Sequence, residues 1–208
     1  MSEYYIPAGD GEAEYVEKRS TFLGHIRVAE TEEEAKDFIT AMKKKYHDAR
    51  HNCWCYIIKD GAVRYSDDGE PQGTAGIPML EVLKREGICN VVCVVTRYFG
   101  GVLLGAGGLL RAYTKSAKDA LDAAGVSLMR QWSEAELNCP YSLSERMKLE
   151  CLNSGAVLRD TEYGTDVRFK LMLPDEAVEG LSLRITDLSA GTCGLDITGT
   201  AFMPVRIR

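Results

Sequence analysis

Apolar and polar residues alternate with period two over 22–28, with Phe22, Gly24, Ile26 and Val28 on one side and Leu23, His25 and Arg27 on the other. That alternation predicts a strand. The period then lengthens: Ala35, Phe38, Ile39, Met42 and Tyr46 recur at helical spacing behind Thr31 and Glu34, which form a capping box. Lys43, Lys44 and Lys45 close this helix, where positive charge suits its dipole. Residues 53–58 (CWCYII) predict a buried strand, turned at Asp60-Gly61 into a partner over 63–65. A helix is expected to start near 76–78 with Pro78 close to its first position. A β-branched strand over 88–96 comes next, then a glycine-rich loop and a helix to about Ala124.

The pattern breaks near 125–131, where the chain restarts as a strand, so the expected domains are 1–128 and 129–208. In the second, Ala135, Leu137 and Cys139 alternate with Glu134, Glu136 and Asn138. Ser142 and Glu145 read as a second capping box, with Gly155 ending that helix. Residues 157–162 and 166–173 predict a hairpin around Tyr163-Gly164, with Val167, Phe169, Leu171 and Leu173 facing one way and Arg168, Lys170 and Met172 the other. A helix from Pro174-Asp175 carries Val178, Leu181, Ile185 and Leu188 on one face, and 195–207 supplies a last strand. The order βαββαβ is the ferredoxin-like split, with its helices on one face of an antiparallel sheet. The fold class expected for the whole chain is α+β.

Composition narrows the function classes. The 208 residues are 45% hydrophobic and 27% charged, enough apolar material for a packed core. No apolar run approaches the ~18 residues of a membrane span, and the polar, acidic start is unlike a secretory signal, so a soluble cytoplasmic protein without membrane partners is expected. The net charge is −6, and splitting at 128/129 leaves each part at −3, which argues against coating nucleic acid by bulk charge. The seven cysteines are odd in number and mostly in strand-like surroundings, so buried free thiols are expected rather than a disulfide framework. His47, His51, Cys53 and Cys55 cluster, but no second ligand pair at finger spacing accompanies them, so neither a metal nor a cofactor is expected. Cys53 and Cys55 should share one strand face, and His51 should fix the start of that strand through a hydrogen bond.

Two polar stretches can carry chemistry. The first, 66–76, holds Asp67, Asp68 and Glu70 within four residues. The carboxylates suit a hard cation or acid–base work, and equally a tight turn in which Asp caps its own backbone. The second runs from Arg97 through Gly100, Gly101, Gly105, Gly107 and Gly108 to Arg111. Glycines before a helix N-terminus, flanked by arginines, suit a phosphate or carboxylate; they also suit close helix–sheet packing with Arg97 bridged to an aspartate. The pattern is neither a P-loop nor a dinucleotide fingerprint. Their complementary charge predicts that 67–76 and 97–111 lie side by side, with Arg97 bridged to Asp67 or Asp68. Beyond them, Arg111, Lys115 and Lys118 share a helix face and could contact RNA phosphates, helped by Lys84 and Arg85; the alternative is a solvated face on which Lys115 pairs with Asp119 and Lys118 with Asp122. No motif specifies a reaction.

The blocks HNCWCY at 51–56, YSDDGEPQGTAG at 65–76, VVCVVTRYFGG at 91–101 and LGAGGLLRAY at 104–113 together resemble the IMPACT family, and within it the bacterial YigZ-type members. The resemblance covers about 20–125 through these motifs and the remainder through the βαββαβ pattern. It implies an N-terminal domain like the second domain of ribosomal protein S-five, followed by a ferredoxin-like domain of the kind found late in elongation factor G. It implies translational control through a protein partner for eukaryotic relatives, and RNA or ribosome binding for bacterial ones. Cys55 departs from the small residue common in relatives, which argues against a catalytic thiol there.

Three readings follow. The first is a non-enzymatic translation-associated regulatory module that binds RNA, the ribosome or a protein partner. The second is an enzyme or binding protein for a phosphorylated or carboxylated small molecule at the two polar stretches. The third is a protein–protein regulator without RNA contact. The pattern carries no signal for oligomeric state.

Overall fold

The computed structural model describes residues 3–208. The chain forms two compact units, one made by the chain up to Met129 together with Pro204–Arg208, the other by Arg130–Met203. No helix of the described residues is long and apolar enough to cross a membrane.

The first unit is built on a five-stranded antiparallel sheet, in the order β2 (Gly11–Glu17), β3 (Ser20–Val28), β6 (Val91–Tyr98), β4 (His51–Ile57), β5 (Val63–Ser66). Side chains along a strand point alternately to its two faces. Val91, Cys93 and Val95 of β6, with Cys53 and Cys55 of β4, therefore meet α2 (Gly76–Arg85) and α3 (Gly105–Ala124). Val92 and Val94, with Trp54 and Tyr56, meet α1 (Glu32–Lys45) on the other face. A central strand covered on both sides has no polar face to show, which is why 91–97 is buried throughout. The capping box of Thr31 and Glu34 is in place, and all three lysines lie in the last turn of α1. Gly125 ends α3 at φ +75°.

Two strands have no counterpart in the hydrophobic pattern. The inward face of β2 is Gly11, Ala13 and Tyr15, and β1 (Tyr4–Pro7) pairs with the start of β7 (Val126–Cys139). The small residues let α3 lie directly on β2 and β3. A Cβ on Gly11 would stand 2.2 Å from the Ala120 carbonyl oxygen, and one on Gly24 2.6 Å from that of Ser116. The glycines that permit close helix–sheet packing are therefore these two; those at 105–108 do not face the sheet.

In the second unit, β7 is followed by α4 (Tyr141–Asn153), β8 (Val157–Tyr163), β9 (Val167–Pro174), α5 (Asp175–Leu188) and β10 (Leu195–Arg206). The sheet order β10-β7-β9-β8 is that of a ferredoxin-like split. Leu137, Phe169, Leu171 and Leu173 pack with Met147 and Cys151 of α4 and Leu181 and Ile185 of α5. The chain is thus a two-domain α+β protein.

Two expectations are corrected. The second capping box is absent: Pro140 occupies the N-cap, its fixed backbone starts α4 at Tyr141, and Ser142 falls inside the helix. Met172 faces away from the helices as expected, and is buried there. The final residues, assigned from the sequence to the domain beginning at 129, return to the first unit. There Val126 donates its N–H to the Arg208 carbonyl oxygen at 3.0 Å, and the Arg208 guanidinium meets Glu86 at 2.6 Å.

His25 gives the first unit a pH dependence. Its ring is 4% exposed, stacks on Tyr46 and has an unpartnered Nε2, and burial lowers its pKa despite Glu12 at 3.3 Å. The unfolded chain takes up this proton at about pH 6.5, before the folded one does. The stability it contributes is therefore full above about pH 6.5 and falls on acidification. Urea midpoints at about pH 7.5 and 5.5 should drop further for the wild type than for His25→Phe; equal drops would refute a neutral buried imidazole.

Candidate functional site

The turn between β5 and α2 uses each of its carboxylates differently. Asp67 accepts three backbone N–H groups, from Gly73 at 2.8 Å, Ala75 at 3.0 Å and Gly76 at 2.8 Å. Helix α2 has Ala75 at its N-cap, with no side chain to offer, so Asp67 supplies the cap from a distance and places negative charge at the helix N-terminus. Asp68 turns the other way, in the left-handed region at φ +43°. It accepts Lys43 Nζ at 2.6 Å and the Asn52 N–H at 2.7 Å, and its carbonyl accepts His51 Nδ1–H at 2.9 Å. His51 thus fixes the start of β4, as its position suggests.

Glu70 reaches inward. Its Oε1 accepts Arg97 Nη1–H at 2.7 Å and the Tyr113 hydroxyl at 2.9 Å. The expected bridge from Arg97 to Asp67 or Asp68 is therefore corrected to Glu70, because both aspartates are spent on the loop's own backbone and on Lys43. The Arg97 and Glu70 side chains are 7% and 3% exposed, a largely buried ion pair. The guanidinium lies 5.5 Å from the ring centroids of both Phe22 and Phe99 and points Nη2 at Ser20 Oγ, 3.4 Å away. Its Nε has no partner.

Beyond β6 the chain leaves through Phe99-Gly100-Gly101. Gly100 sits against the β2–β3 turn so closely that a Cβ would stand 2.0 Å from the Arg19 carbonyl carbon, and its N–H donates to Ser20 Oγ at 3.1 Å. Gly101 and Gly105 take positive φ (+82° and +70°), which swings the loop outward before α3 begins. No side chain caps the first turn of α3. Gly107 and Gly108 complete that first turn as ordinary helical positions.

The two polar stretches do lie side by side, around a cavity of about 370 Å³. Arg50, His51, Glu70 and Arg97 form its polar wall, Phe99, Leu103, Leu104, Leu109 and Pro71 its apolar wall, and Gly105 and Ala106 bring the start of α3 to its edge. Arg111 stands exposed one turn further along α3, outside the lining. Of this set the sequence singles out Glu70, Arg97, Gly105 and His51. It gives no hint of Arg50, Tyr113, Ser20 or the apolar wall, although Phe99 and Leu103, apolar residues among glycines outside any strand or helix period, are in retrospect the available signal.

Neither the Cys53 thiol nor the Tyr113 hydroxyl beside this cavity is poised to ionise. Burial pushes the Cys53 thiol well up, and its S–H donates to the Asp67 carbonyl at 2.9 Å. Burial, reinforced by Cys53 and Glu70, does the same to Tyr113. Burial also raises Cys55, Cys89, Cys139 and Cys151, the last two to about 11. A thiol acts as nucleophile only as thiolate.

Two of the three cations of the α3 stripe are neutralised locally. Lys115 meets Asp119 at 2.5 Å, and Lys118 meets Asp122 at 2.7 Å and Glu86 at 3.0 Å. Lys84 meets Glu81 at 3.1 Å. Arg85 closes α2 as a last-turn cation.

Comparison with known proteins matches residues 18–121 to the Impact N-terminal domain and residues 137–192 to a domain of unknown function (DUF1949). A Bacillus subtilis protein described as IMPACT family member YvyE is 37% identical over 193 residues, covering 92% of this chain and 89% of its own length. Escherichia coli IMPACT family member YigZ is 32% identical over 199 residues, 94% of this chain and 98% of its own. A solved structure described as a hypothetical protein superposes with a TM-score of 0.60 at 31% identity, covering 95% of this chain and 98% of that one.

Proposed function

Since the chain belongs to the IMPACT family, we propose that it is a regulatory binding module associated with translation, and that it meets its partner at the Arg97 cavity of the first unit. The observation that carries this is the 99–104 loop. It holds Leu103, at 83% the most exposed large apolar side chain among the described residues, beside a cavity floored by a buried arginine. Exposed apolar residues grouped at a concave site mark binding surfaces. Binding is favoured over catalysis because the carboxylates there are committed, Glu70 to Arg97 and Tyr113, Asp67 to backbone and Asp68 to Lys43. A protein surface is favoured over RNA on the α3 stripe because the Lys115 and Lys118 charges are already paired.

A second reading, a small carboxylated or phosphorylated ligand in the same cavity, draws support from the uncapped start of α3 and from Arg97.

Co-sedimentation with ribosomal particles across a salt series tests the proposal. Leu103→Asp should reduce association about tenfold, the size expected of a buried apolar anchor, while Lys115→Glu should leave it within about twofold. If Lys115→Glu abolishes association and Leu103→Asp leaves it intact, the partner is RNA on the α3 stripe. If no translation component associates at low salt, the proposal fails.

A further inference from the structure

We propose that the end of the sheet around the Arg97 cavity docks an extended acidic–apolar segment of a partner protein, with carboxylates of the segment on Arg19, Arg50 and Arg111 and an apolar side chain in the cavity against Leu103 and Leu104. This rests on the reading that the cavity and the 99–104 loop are the working surface, and adds the chemistry of what they hold.

The strand register brings the cations together. Thr21 stands opposite Tyr98 and His51 opposite Arg97, so the starts of β3 and β4 and the end of β6 lie at one end of the sheet. Lys18 and Arg19 form the β2–β3 turn there, both at positive φ, and Gly100 packs on Arg19. Arg50 immediately precedes β4 and lines the cavity. Arg111 projects from the start of α3. Among the described residues none of Lys18, Arg19, Arg50 and Arg111 is in an ion pair, whereas Lys43, Lys84, Lys115 and Lys118 each have a carboxylate.

The carboxylates at this end are already in use. Glu70 holds Arg97, Asp68 holds Lys43, Asp67 holds backbone, Glu17 accepts the Tyr15 hydroxyl and Asp48 that of Tyr98. Glu70 and Asp68 cancel Arg97 and Lys43, and beside the charge that Glu17, Asp48 and Asp67 keep stand four cations in no ion pair, Lys18, Arg19, Arg50 and Arg111. Beside them stand Phe99, Val102, Leu103 and Leu110, all exposed.

An acidic–apolar peptide matches both features. RNA matches only one, because single-stranded nucleic acid is held by successive flat aromatic faces, and three of these four side chains are aliphatic. Apolar anchors seated beside arginine are the composition of protein-interface hot spots, and rim charges set orientation and on-rate.

The test is fluorescence anisotropy on the full chain. The probes are a labelled short peptide alternating glutamate with leucine, the same peptide with lysine for glutamate, and an oligouridine of equal charge. The glutamate–leucine peptide should bind saturably and weaken with salt. Arg50→Glu and Leu103→Asp, both at exposed positions and checked for folding by circular dichroism, should each weaken it about tenfold, and Lys115→Glu should leave it unchanged. Equal binding of the lysine peptide, binding of the oligouridine instead, or indifference to Arg50→Glu would overturn the inference. If no probe binds while Leu103→Asp still removes co-sedimentation, this inference falls and the proposed function stands; if Leu103→Asp alters neither, both fall.

Discussion

Replacing Arg97 by alanine is expected to destabilise the first unit by about 3–5 kcal/mol, and Glu70→Ala by a similar amount, because each leaves the other charge buried without its counter-ion. After Arg97→Ala the Glu70 carboxylate keeps only the Tyr113 hydroxyl. After Glu70→Ala the guanidinium is left between Phe22 and Phe99 with Ser20 alone. Tyr113→Phe removes one hydrogen bond to a charged acceptor and should cost about 1.5–3 kcal/mol. The double variant Arg97→Met/Glu70→Leu, which removes both charges and keeps the volume, should regain most of the loss. Trp54 lies in the first unit and Trp132 in the second, so urea unfolding by fluorescence in a Trp132→Phe background reads the first unit. A loss below about 1 kcal/mol for Arg97→Ala would mean that water reaches the pair. A double variant that folds but no longer binds its partner would separate the role of Arg97 in recognition from its role in stability.

How these residues come together shows what the chain's pattern can convey. Strong periodicity conveyed α1 with its capping box, the β4–β5 and β8–β9 hairpins, and α5. It missed β2 because two of the inward positions there are Gly11 and Ala13, whose thinness lets α3 approach, which leaves Tyr15 as the one large apolar inward residue. It placed a capping box at Ser142 because the residue types fit, whereas Pro140 sets the backbone earlier in the chain.

Charge complementarity was enough to bring 67–76 beside 97–111, and i,i+4 spacing anticipated the Lys115 and Lys118 pairs. The partner of Arg97 was beyond reach of such reasoning. Asp67, Asp68 and Glu70 are interchangeable as sequence, and only the left-handed turn at Asp68 and Gly69 decides which points where. Lys18, Arg19 and Arg50 are unremarkable surface residues until the β2–β3 turn and the α1–β4 loop meet at one end of the sheet.

Asp67→Ala is the second large effect, expected to cost about 3–4 kcal/mol although Asp67 itself is in no ion pair. It strands the N–H groups of Gly73, Ala75 and Gly76. Hydrogen bonds to a charged acceptor contribute about 1.5–3 kcal/mol each, and three on one carboxylate add less than their sum. The loss of negative charge at the N-terminus of α2 adds about 0.3–1 kcal/mol. Asp67→Asn keeps one carbonyl oxygen, so it can serve Ala75 and Gly76 or Gly73 but not all three, and its amide donors then face a donor; it should fall between wild type and alanine. Cys53 is indifferent, since its S–H donates to the Asp67 backbone carbonyl. Because the same turn carries Glu70, loosening Asp67 also shifts the acceptor of Arg97. Asp67→Ala combined with Arg97→Ala should therefore cost less than the two separately. Hydrogen exchange resolves the mechanism: amides of Gly73 and the first turn of α2 should lose protection in Asp67→Ala while those of α1 keep theirs. A uniform loss across the first unit, or a cost under about 1 kcal/mol, would show that something other than Asp67 holds the turn to the helix.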